Sequence, residues 1–447
     1  MNMDLPPELW DSIFDSIFEN AVYGGSLAII LLFYFWHRWS SDRRSLAELQ
    51  TNKEAGLMEP ASLHPIFNDN RCIGCAACIT ACPEGTIIGL VDMKARLINP
   101  SHCIGHGACK SACPLDAITL VFGSETRGVD IPMVQPNFET NVPGIFIAGE
   151  LGGMGLIRNA ITQGRQALDS VRKLDGMGKG DGLDVLIVGA GPAGFAASLG
   201  AMQHGLRYAT LEQDSLGGTV FQFPRGKIVM TAPVDLPMVG KVNFKETTKE
   251  KLLAFWQDVE VKTRVQISYH ERVETITPSG NGFTVKSNKN SYQTRAVLLA
   301  IGRRGTPRKL GVPGEDQPKV VYRLIDPAQY QNMHVLVVGG GDSAIEAATT
   351  IADEPGTTVT LSYRSEAFSR VKEKNRKNLK EREESGRLKV MLKSQVKRIQ
   401  PDQVSLKWDE FDVDLPNDAV IICAGGILPT GFLKEIGIQV DTKFGTP

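Results

Sequence analysis

The sequence has almost no net charge and no basic N-terminal segment. It also has only one cysteine, Cys423, outside a single cluster. Its 447 residues carry 49 Lys and Arg against 50 Asp and Glu, a net charge of −1, which gives no electrostatic reason to expect a nucleic-acid partner. The missing basic segment argues against a cleaved signal peptide. Seven of the eight cysteines lie between Cys72 and Cys113. That clustering argues against a disulfide framework and indicates metal or cluster ligation in a reducing compartment.

Long uncharged runs are also scarce, and Ala21 to Trp36 is the candidate for a membrane span. The run is short of the about 20 residues that a bilayer requires, although flanking residues can extend it. An acidic amphipathic segment, residues 1–20, precedes it, and the cations Arg38, Arg43 and Arg44 follow it. The positive-inside rule then predicts a single-pass anchor in the inner (cytoplasmic) membrane, with the catalytic domains in the cytoplasm. A buried or interfacial helix is the alternative.

A glycine turn follows the strand-like run Val185–Val188. It contains Gly189, Gly191 and Gly194, and a helix-like segment begins after it. Bare glycine backbone permits the tight turn, the approach of a pyrophosphate and close packing of helix on strand. The helix N-terminus then offers free N–H groups to phosphates. Glu212 ends the next strand-like run, where a carboxylate can bind a ribose hydroxyl, so the stretch predicts a dinucleotide site.

A second copy of this pattern lies further along the chain. It consists of the run His334–Val338 followed by Gly339, Gly341 and Ala344. Two dinucleotide sites predict one dinucleotide that stays bound, FAD, and one nicotinamide dinucleotide that visits. The strand after the second turn ends without an acid, and Arg364 and Arg370 follow it. Arginine suits a 2′-phosphate, so NADPH is favoured, with NADH as the alternative.

The clustered cysteines form two runs typical of bacterial-type dicluster ferredoxins. The first run is C-x2-C-x2-C-x3-C-P, and the second repeats its spacing with histidine at the second position. In such repeats the fourth cysteine of each run ligates the other cluster. The complete ligand set, for a 4Fe–4S cluster, is Cys72, Cys75, Cys78 and Cys113. The second set is Cys82, Cys103, His106 and Cys109, in which His106 either ligates a 4Fe–4S cluster or faces solvent beside a 3Fe–4S cluster.

From about Gly128 onward, the chain resembles flavoproteins of the thioredoxin reductase type, including their bacillithiol-disulfide reductase-like branch. Besides the two glycine turns, the resemblance rests on Ala296–Gly302 and Gly311–Glu315. It implies two Rossmann-like dinucleotide-binding domains of the three-layer ββα type, and commonly a homodimer. The further cofactor-binding residues that it implies are Gly217, Gly218, Thr219 and Gly302.

One block of the resembled family stands at an unexpected place. Thr140–Glu150 resembles the family's last strand, whose acid binds the ribityl and pyrophosphate region of FAD, so Gly149 and Glu150 are implied to bind FAD. In the family this block follows the nicotinamide domain, but here it precedes the first glycine turn. The flavin domain is therefore predicted to be circularly permuted. The glycine-rich residues 173–182 are long enough to join its two parts.

The predicted fold class is α/β, with two Rossmann-like domains, a small α+β dicluster ferredoxin domain and an N-terminal transmembrane helix. The predicted boundaries are 1–44 for the amphipathic segment and anchor, 45–70 for a connector, 71–123 for the ferredoxin domain, 124–172 for the permuted flavin segment, 173–182 for the linker, 183–308 for the FAD domain, 309–425 for the NAD(P) domain and 426–447 for the return to the FAD domain.

Disulfide reductases of the resembled family carry a C-x-x-C beside the flavin, but residues 315–338 contain no cysteine here. Cys423 lies in an apolar run and is predicted to be a buried small hydrophobe. No acid–base catalyst is predicted. The predicted function is a membrane-anchored NAD(P)H-dependent FAD and iron–sulfur oxidoreductase that passes electrons to or from a redox partner protein or a membrane electron carrier. A flavin reductase of an external disulfide and a non-catalytic redox sensor are the alternatives.

Overall fold

The structure is a computed structural model of the 447-residue chain. It describes the backbone of residues 7–54, 57–60, 63–103, 105–125, 128–153, 155–179, 182–230, 233–244, 246–303, 305–368, 371 and 373–445. Side chains are described in the same ranges from residue 23 onward, except at residues 228, 230, 246 and 373. The chain divides into two compact units, the smaller of residues 1–58, 65–100 and 107–119, and the larger of residues 59–64, 101–106 and 120–447.

The smaller unit, with the residues that border it, combines one long helix with short strands and two single-turn helices. Its elements are α1 (Pro7–Glu54), β1 (His64–Phe67), α2 (Ala77–Thr80), β2 (Ile88–Val91), β3 (Lys94–Leu97), a 3₁₀ turn (Pro100–His102), α3 (Ala108–Ser111) and β4 (Ile118–Val121). β1 pairs with β4, and β2 and β3 form an antiparallel hairpin. The two residues between β2 and β3, Asp92 and Met93, both have positive φ, which is the geometry of a tight type I′ hairpin turn.

The second half of α1 packs on the hairpin. Ser45 is buried, and a Cβ on Gly89 of β2 would lie 2.5 Å from its Oγ, so only glycine lets the helix approach this closely. Asn52 Nδ2 donates to the backbone oxygen of Ile98 at 2.9 Å. In contrast, the apolar side chains from Tyr23 to Trp36 are exposed. The same helix therefore joins a packed end to an exposed apolar stretch.

The predicted transmembrane helix is not supported. Within the described part of the chain, no helix combines the length and apolar character that a bilayer span requires. The physical reason lies in the sequence of α1, because the uncharged run ends at Trp36 and charged residues follow at Arg38 and Asp42. The predicted amphipathic segment, residues 1–20, has its side chains outside the described residues.

The first part of the larger unit holds the first glycine turn. Its elements are β5 (Val129–Pro132), β6 (Ile145–Ile147), a 3₁₀ turn (Glu150–Gly152), α4 (Ile157–Val171), β7 (Leu183–Val188), α5 (Pro192–Gln203), β8 (Tyr208–Glu212), β9 (Ile228–Met230), β10 (Val234–Leu236), β11 (Gly240–Val242), β12 (Glu246–Thr248), α6 (Lys249–Thr263), β13 (Ser268–Tyr269), β14 (Val273–Ser279), β15 (Gly282–Ser287) and β16 (Ser291–Leu299). Seven of these strands form one sheet, in the order β13-β8-β7-β16-β15-β14, with β6 also paired to β16.

The second part holds the second glycine turn. Its elements are β17 (Thr306–Pro307), β18 (Val320–Val321), a 3₁₀ turn (Pro327–Tyr330), β19 (His334–Val338), α7 (Asp342–Ile351), β20 (Thr358–Ser362), α8 (Glu373–Glu384), β21 (Leu388–Met391), β22 (Ser394–Ile399), β23 (Gln403–Trp408), β24 (Phe411–Pro416), β25 (Ala419–Ile422), β26 (Gly426–Ile427), α9 (Thr430–Glu435) and β27 (Val440–Lys443). Its main sheet is parallel, in the order β18-β25-β19-β20-β21.

Both sheets have a strand that is buried on two faces. Val185 to Ile187 in β7 and Val335 to Val337 in β19 expose 2% of their surface or less. Continuous apolar runs suit central strands of parallel sheets, which helices cover on both sides. Both runs end at a glycine turn, so the sheets bring the two turns to the carboxyl ends of their strands, where α/β sheets bind ligands.

The block that precedes the first glycine turn joins the first sheet. β6 runs parallel to β16, with Ile145 opposite Val297 and Ile147 opposite Leu299. The last strand of the chain, β27, pairs antiparallel with β5. Residues from both ends of the larger unit therefore meet in the part of the fold that holds the first glycine turn.

Candidate functional site

Glycine is required for a different structural reason at each of the three positions of the first turn. Gly189 has a positive φ of 101°, and a Cβ there would lie 2.6 Å from the backbone oxygen of Ala300. A Cβ on Gly194 would lie 1.8 Å from the oxygen of Gly189, so glycine lets α5 pack on the turn. A Cβ on Gly191 would meet no atom within 4 Å. Space is therefore left open at the N-terminus of α5, which suits a pyrophosphate.

Glu212 is held against the same turn. Its side chain accepts hydrogen bonds from the amides of Ala190 and Asp214, at 2.7 and 2.9 Å. Burial raises the pKa of this carboxyl, and the two amides partly offset the shift. With 5% of its surface exposed, Glu212 lies at the end of β8 beside the turn.

Three further predicted residues, Gly217, Gly218 and Thr219, lie in the loop after β8. The amide of Gly217 donates to the oxygen of Ala190 at 3.0 Å. A Cβ on Gly218 would lie 3.3 Å from the Cα of Gly191. The backbone of this loop therefore borders the open space at Gly191.

Gly149 and Glu150 follow β6 and lie beside the start of α5. The Gly149 amide donates to Gln163 Oε1 of α4 at 2.9 Å, and a Cβ on Gly149 would lie 3.0 Å from that of Ala193. Gly164 of α4 lies closer still, since a Cβ there would be 2.0 Å from the oxygen of Ala193. The structure thus brings Gly149 to the first glycine turn, and Glu150 is the next residue in the chain.

Sequence reasoning missed Arg303, which follows Gly302 at the carboxyl end of β16. Its Nη2 donates to the backbone oxygen of Asp130 at 3.2 Å. Burial lowers the pKa of this guanidinium, while the carboxylates of Glu150 and Asp130 favour its charged form. Gly302 itself has a positive φ of 64°. The signal in the sequence was a pair of arginines directly after a buried strand.

The second turn repeats the geometry of the first. A Cβ on Gly339 would lie 2.4 Å from the oxygen of Cys423, whereas a Cβ on Gly341 would meet nothing within 4 Å. Ala344 lies in the first turn of α7 and is fully buried. Cys423 is half-buried and packs at the edge of the core, so its predicted complete burial is not observed.

The residues after β20 flank this second turn. Tyr363 was missed by sequence reasoning. A Cβ on Gly340 would lie 2.2 Å from its ring, which stacks on Phe368 with centroids 5.4 Å apart. Arg364 is exposed. Arg370 lies outside the described residues. Of the two arginines predicted to bind the 2′-phosphate, the structure therefore describes only Arg364.

The four cysteines predicted to hold the first cluster lie around one pocket in the smaller unit. Cys72, Cys75, Cys78 and Cys113 all line this pocket. The amide of Ala95 lies 3.5 Å from Cys72 Sγ, and that of Ala117 lies 3.3 Å from Cys113 Sγ. Backbone N–H groups aimed at thiolate sulfurs suit an iron–sulfur cluster.

The thiols of this pocket differ in environment. Cys75 is exposed, whereas Cys78 is buried. Burial, and next the neighbouring cysteines, raise the pKa of Cys78 to about 11. In the described part of the chain, no three His, Cys, Asp or Glu side chains converge as they would on a single metal ion. A four-iron cluster needs a wider arrangement, because its ligands surround a cube of iron and sulfide.

The second predicted ligand set is divided between the two units. Cys82 and Cys109 belong to the smaller unit, and Cys103 and His106 belong to the larger one. Burial raises the pKa of Cys109. Within the larger unit, Cys103 Sγ lies 3.8 Å from the backbone oxygen of Leu63. The assembly of this set, including the role of His106, remains a prediction.

The two open glycine turns and the cysteine pocket define the chain as a nucleotide-dependent oxidoreductase with a ferredoxin-type domain. Residues 186–447 match the family described as pyridine nucleotide-disulphide oxidoreductase, and the chain belongs to that family. Residues 64–114 match a 4Fe-4S dicluster domain. The predicted family and the predicted ferredoxin-type domain are thereby confirmed.

Among curated relatives, a ferredoxin–NADP reductase of Thermus thermophilus is 32% identical over 60% of this chain and 82% of its own length. A ferredoxin–NADP reductase of Ignicoccus hospitalis is 33% identical over 41% of this chain and 57% of its own. The bacilliredoxin reductase Bdr of Bacillus subtilis is 25% identical over 59% of this chain and 82% of its own.

Among solved structures, two bacillithiol disulfide reductases share the fold of more than half of this chain. Bacillithiol disulfide reductase Bdr (YpdA) from Staphylococcus aureus has a TM-score of 0.51 at 24% identity and covers 57% of this chain and 80% of its own. The Bacillus cereus protein of the same name has a TM-score of 0.52 at 23% identity and covers 57% of this chain and 81% of its own. At these identities the likeness supports the fold alone.

Proposed function

We propose that this protein transfers electrons between NADPH, a bound FAD and two iron–sulfur clusters carried on the same chain. The observation that carries the proposal is one chain with two glycine turns, each open at its middle glycine, and a pocket lined by four cysteines. FAD would supply the step between hydride and single-electron chemistry, and the clusters would carry single electrons. The hydride of NADPH would reduce FAD by two electrons, and the two clusters could then accept one electron each.

In this proposal the first glycine turn binds FAD. The open space at Gly191 receives the pyrophosphate, and the N-terminus of α5 faces its charge. Glu212 and the loop at Gly218 border the same space. Gly149 and Glu150 reach it from β6.

The second glycine turn then binds the nicotinamide dinucleotide. Gly341 leaves room for its pyrophosphate, and Arg364 provides a cation near the end of β20 for the 2′-phosphate. The chain is similar to ferredoxin–NADP reductases, whose name specifies NADP, and this similarity supports NADPH over NADH as the donor.

The proposed clusters follow the cysteine runs. The first is a 4Fe–4S cluster on Cys72, Cys75, Cys78 and Cys113. The second uses Cys82, Cys103, Cys109 and His106. Beyond the clusters we propose a ferredoxin-like redox partner protein, acting as acceptor or donor. A homodimer remains an expectation from the family resemblance.

We further propose that the flavin domain is circularly permuted. Three contacts support this: β6 runs parallel to β16, α4 packs on α5 at Gly164, and β27 pairs with β5. In the resembled family the strand that ends at the flavin site is the last strand of the chain. Here the corresponding strand, β6, follows the ferredoxin residues instead. By sequence, the domain that holds the clusters is connected directly to that strand.

An anaerobic titration of the purified protein with NADPH, and separately with NADH, tests the proposal. Flavin absorbance and low-temperature EPR are recorded together. We expect flavin reduction and cluster signals to appear in the same titration, at lower concentrations of NADPH than of NADH. Flavin that bleaches while both clusters stay oxidised would contradict electron transfer from NADPH and would favour the redox-sensor alternative.

A second candidate function is reduction of an external disulfide, because the chain is similar to bacilliredoxin reductase Bdr. A steady-state assay compares thiol release from a small disulfide with reduction of a ferredoxin, both with NADPH as donor. We expect ferredoxin reduction without thiol release. The reverse result would make the disulfide reductase the function and the clusters accessory.

A further inference from the structure

We propose that Arg38 and Lys94 raise the reduction potential of the first cluster by holding two positive charges against its binding loop. The inference rests on the proposed function, because it takes Cys72, Cys75, Cys78 and Cys113 as the ligands of that cluster. It adds a role for α1, which precedes the ferredoxin domain in the chain and is absent from the cysteine motif.

Arg38 of α1 is hydrogen-bonded to the loop between Cys72 and Cys75. Its Nη2 donates to the backbone oxygen of Gly74 at 2.6 Å, and its Nε lies 3.1 Å from Met93 Sδ. Its Nη1 donates to the Tyr34 hydroxyl at 2.9 Å, which fixes the guanidinium from the helix side. The side chain is half-buried.

Gly74 makes this approach possible. A Cβ there would lie 2.2 Å from the oxygen of Met93 and 3.1 Å from Arg38 Nη2. The glycine also has a positive φ of 67°. The loop backbone is thus packed directly between the guanidinium and the β2–β3 turn, without a side chain between them.

Lys94 acts on the same loop from β3. Its Nζ donates to the backbone oxygen of Cys72 at 2.6 Å and to that of Asp69 at 2.8 Å. The next residue, Ala95, directs its amide at Cys72 Sγ. The two cations therefore contact the carbonyls of two residues of one ligand loop, Cys72 and Gly74.

The charges of Arg38 and Lys94 are not neutralised by these bonds. Their partners are a carbonyl, a thioether and a hydroxyl, which carry no net charge. The nearby carboxylate of Asp69 is hydrogen-bonded to Arg96, with Nη2 to Oδ2 at 2.8 Å. That hydrogen bond lowers the pKa of Asp69 most, and the charges of Arg96 and Lys94 lower it further. None of the ion pairs between described residues of this unit includes Arg38 or Lys94.

Reduction adds one electron, and no proton, to a cluster whose four thiolates already carry negative charge. A fixed cation beside the ligand loop favours the more negative, reduced state, so it raises the potential. Removing that charge lowers the potential. The effect is largest where water is excluded, and the loop carbonyls that the cations contact are partly buried.

The test is an EPR-monitored redox titration of the full-length protein with both clusters, poised with dithionite and mediators. The variants are Arg38→Met, Arg38→Lys and Lys94→Met. Arg43→Met is the matched control, because Arg43 lies on the same helix and stacks on Trp39 at 3.9 Å. The signal that Cys72→Ala removes identifies the first cluster.

At the wild-type midpoint potential, we expect Arg38→Met and Lys94→Met each to lower the ratio of reduced to oxidised cluster by about three- to tenfold. Tenfold corresponds to about 59 mV for a one-electron couple. Arg38→Lys and the control should stay near the wild-type ratio. Unchanged midpoints in both neutral variants, with the cluster intact, would overturn the proposal.

Loss of the cluster in both neutral variants would also overturn it, because the cations would then be structural. Dithionite reduces the clusters without NADPH, so the result is independent of the proposed electron route. A wild-type protein without any iron–sulfur signal would refute the proposed function itself. A normal signal whose midpoint does not move would refute only this inference.

Discussion

Gly339 and Gly341 lie in the same turn, yet the same substitution should affect them differently. A Cβ on Gly339 would lie 2.4 Å from Cys423 O, and its φ is 147°, so alanine there should destabilise the domain. A Cβ on Gly341 meets no protein atom, so alanine should change the free energy of unfolding by no more than about 0.5 kcal/mol. The methyl group of alanine at position 341 would, however, occupy the space proposed for the nucleotide.

We therefore expect Gly341→Ala to raise KM for NADPH by about tenfold at unchanged Tm, which is a loss of about 1.4 kcal/mol of binding. Gly339→Ala should lower Tm, with a cost of about 1–3 kcal/mol from overpacking. Thermal unfolding of both variants measures Tm, and steady-state kinetics measures KM for NADPH. Equal losses of Tm would show that the space at Gly341 is structural.

Arg364 lies just after the end of β20, and it is the residue that we propose binds the 2′-phosphate. Charged hydrogen bonds contribute about 1.5–3 kcal/mol, so Arg364→Gln should raise KM for NADPH by about 10- to 100-fold. KM for NADH, which lacks that phosphate, should hardly change.

The matched control is Lys380→Gln, because Lys380 lies on α8 and 77% of its side chain is exposed. It should leave both KM values unchanged. If Arg364→Gln raises KM equally for the two nucleotides, Arg364 does not read the 2′-phosphate.

At the scale of elements, Asp184 joins the start of β7 to two neighbouring segments. Its carboxylate accepts from the backbone amides of Arg207 and Gly178, at 2.9 and 2.8 Å, and from Arg207 Nη2 at 3.0 Å. Burial opposes its ionisation, but the guanidinium and the amides lower its pKa below the ordinary 3.8. The stability that it contributes is therefore complete above pH 3.8 and is lost as the pH falls through the lowered pKa.

Asp184→Asn should accordingly lower the free energy of unfolding at pH 7 by about 1–3 kcal/mol, the typical result of unpairing buried donors. The difference from wild type should shrink as the pH falls below 3.8, because the carboxylate is then protonated in the unfolded chain and, at its lowered pKa, in the folded protein as well. Urea unfolding of both proteins from pH 7 to pH 3 measures it. A difference that is constant over this range would assign the effect to packing instead of charge.

At the scale of the whole molecule, the crossed ligation of the two cysteine runs can be tested directly. Cys113 belongs to the second run, but it lines the pocket of Cys72, Cys75 and Cys78. We expect Cys113→Ala and Cys75→Ala to remove the same EPR signal, and Cys82→Ala to remove the other. Flavin reduction by NADPH should persist in all three.

If Cys113→Ala and Cys82→Ala exchange their effects, each run ligates its own cluster. Wild-type protein prepared in parallel, with iron and sulfide contents measured, controls for incomplete clusters.

Local patterns in the sequence determined much of this protein. The two glycine turns, the strands before them and the cysteine spacings were readable because they depend on residues close in sequence. They sufficed to predict the family and the ferredoxin-type domain. The predicted membrane span is not supported, because no helix among the described residues is long and apolar enough to form one.

Other features were decided only by tertiary structure. Arg38 and Gly74 are 36 positions apart, and no periodicity links an arginine after an apolar run to the loop of a cysteine motif. Arg303 reaches Asp130 across 173 positions, and Tyr363 contacts Gly340 from the neighbouring strand. Such contacts depend on which strands pair and where helices cross them. A sequence pattern reports short-range spacing, whereas burial and electrostatic environment arise from long-range packing.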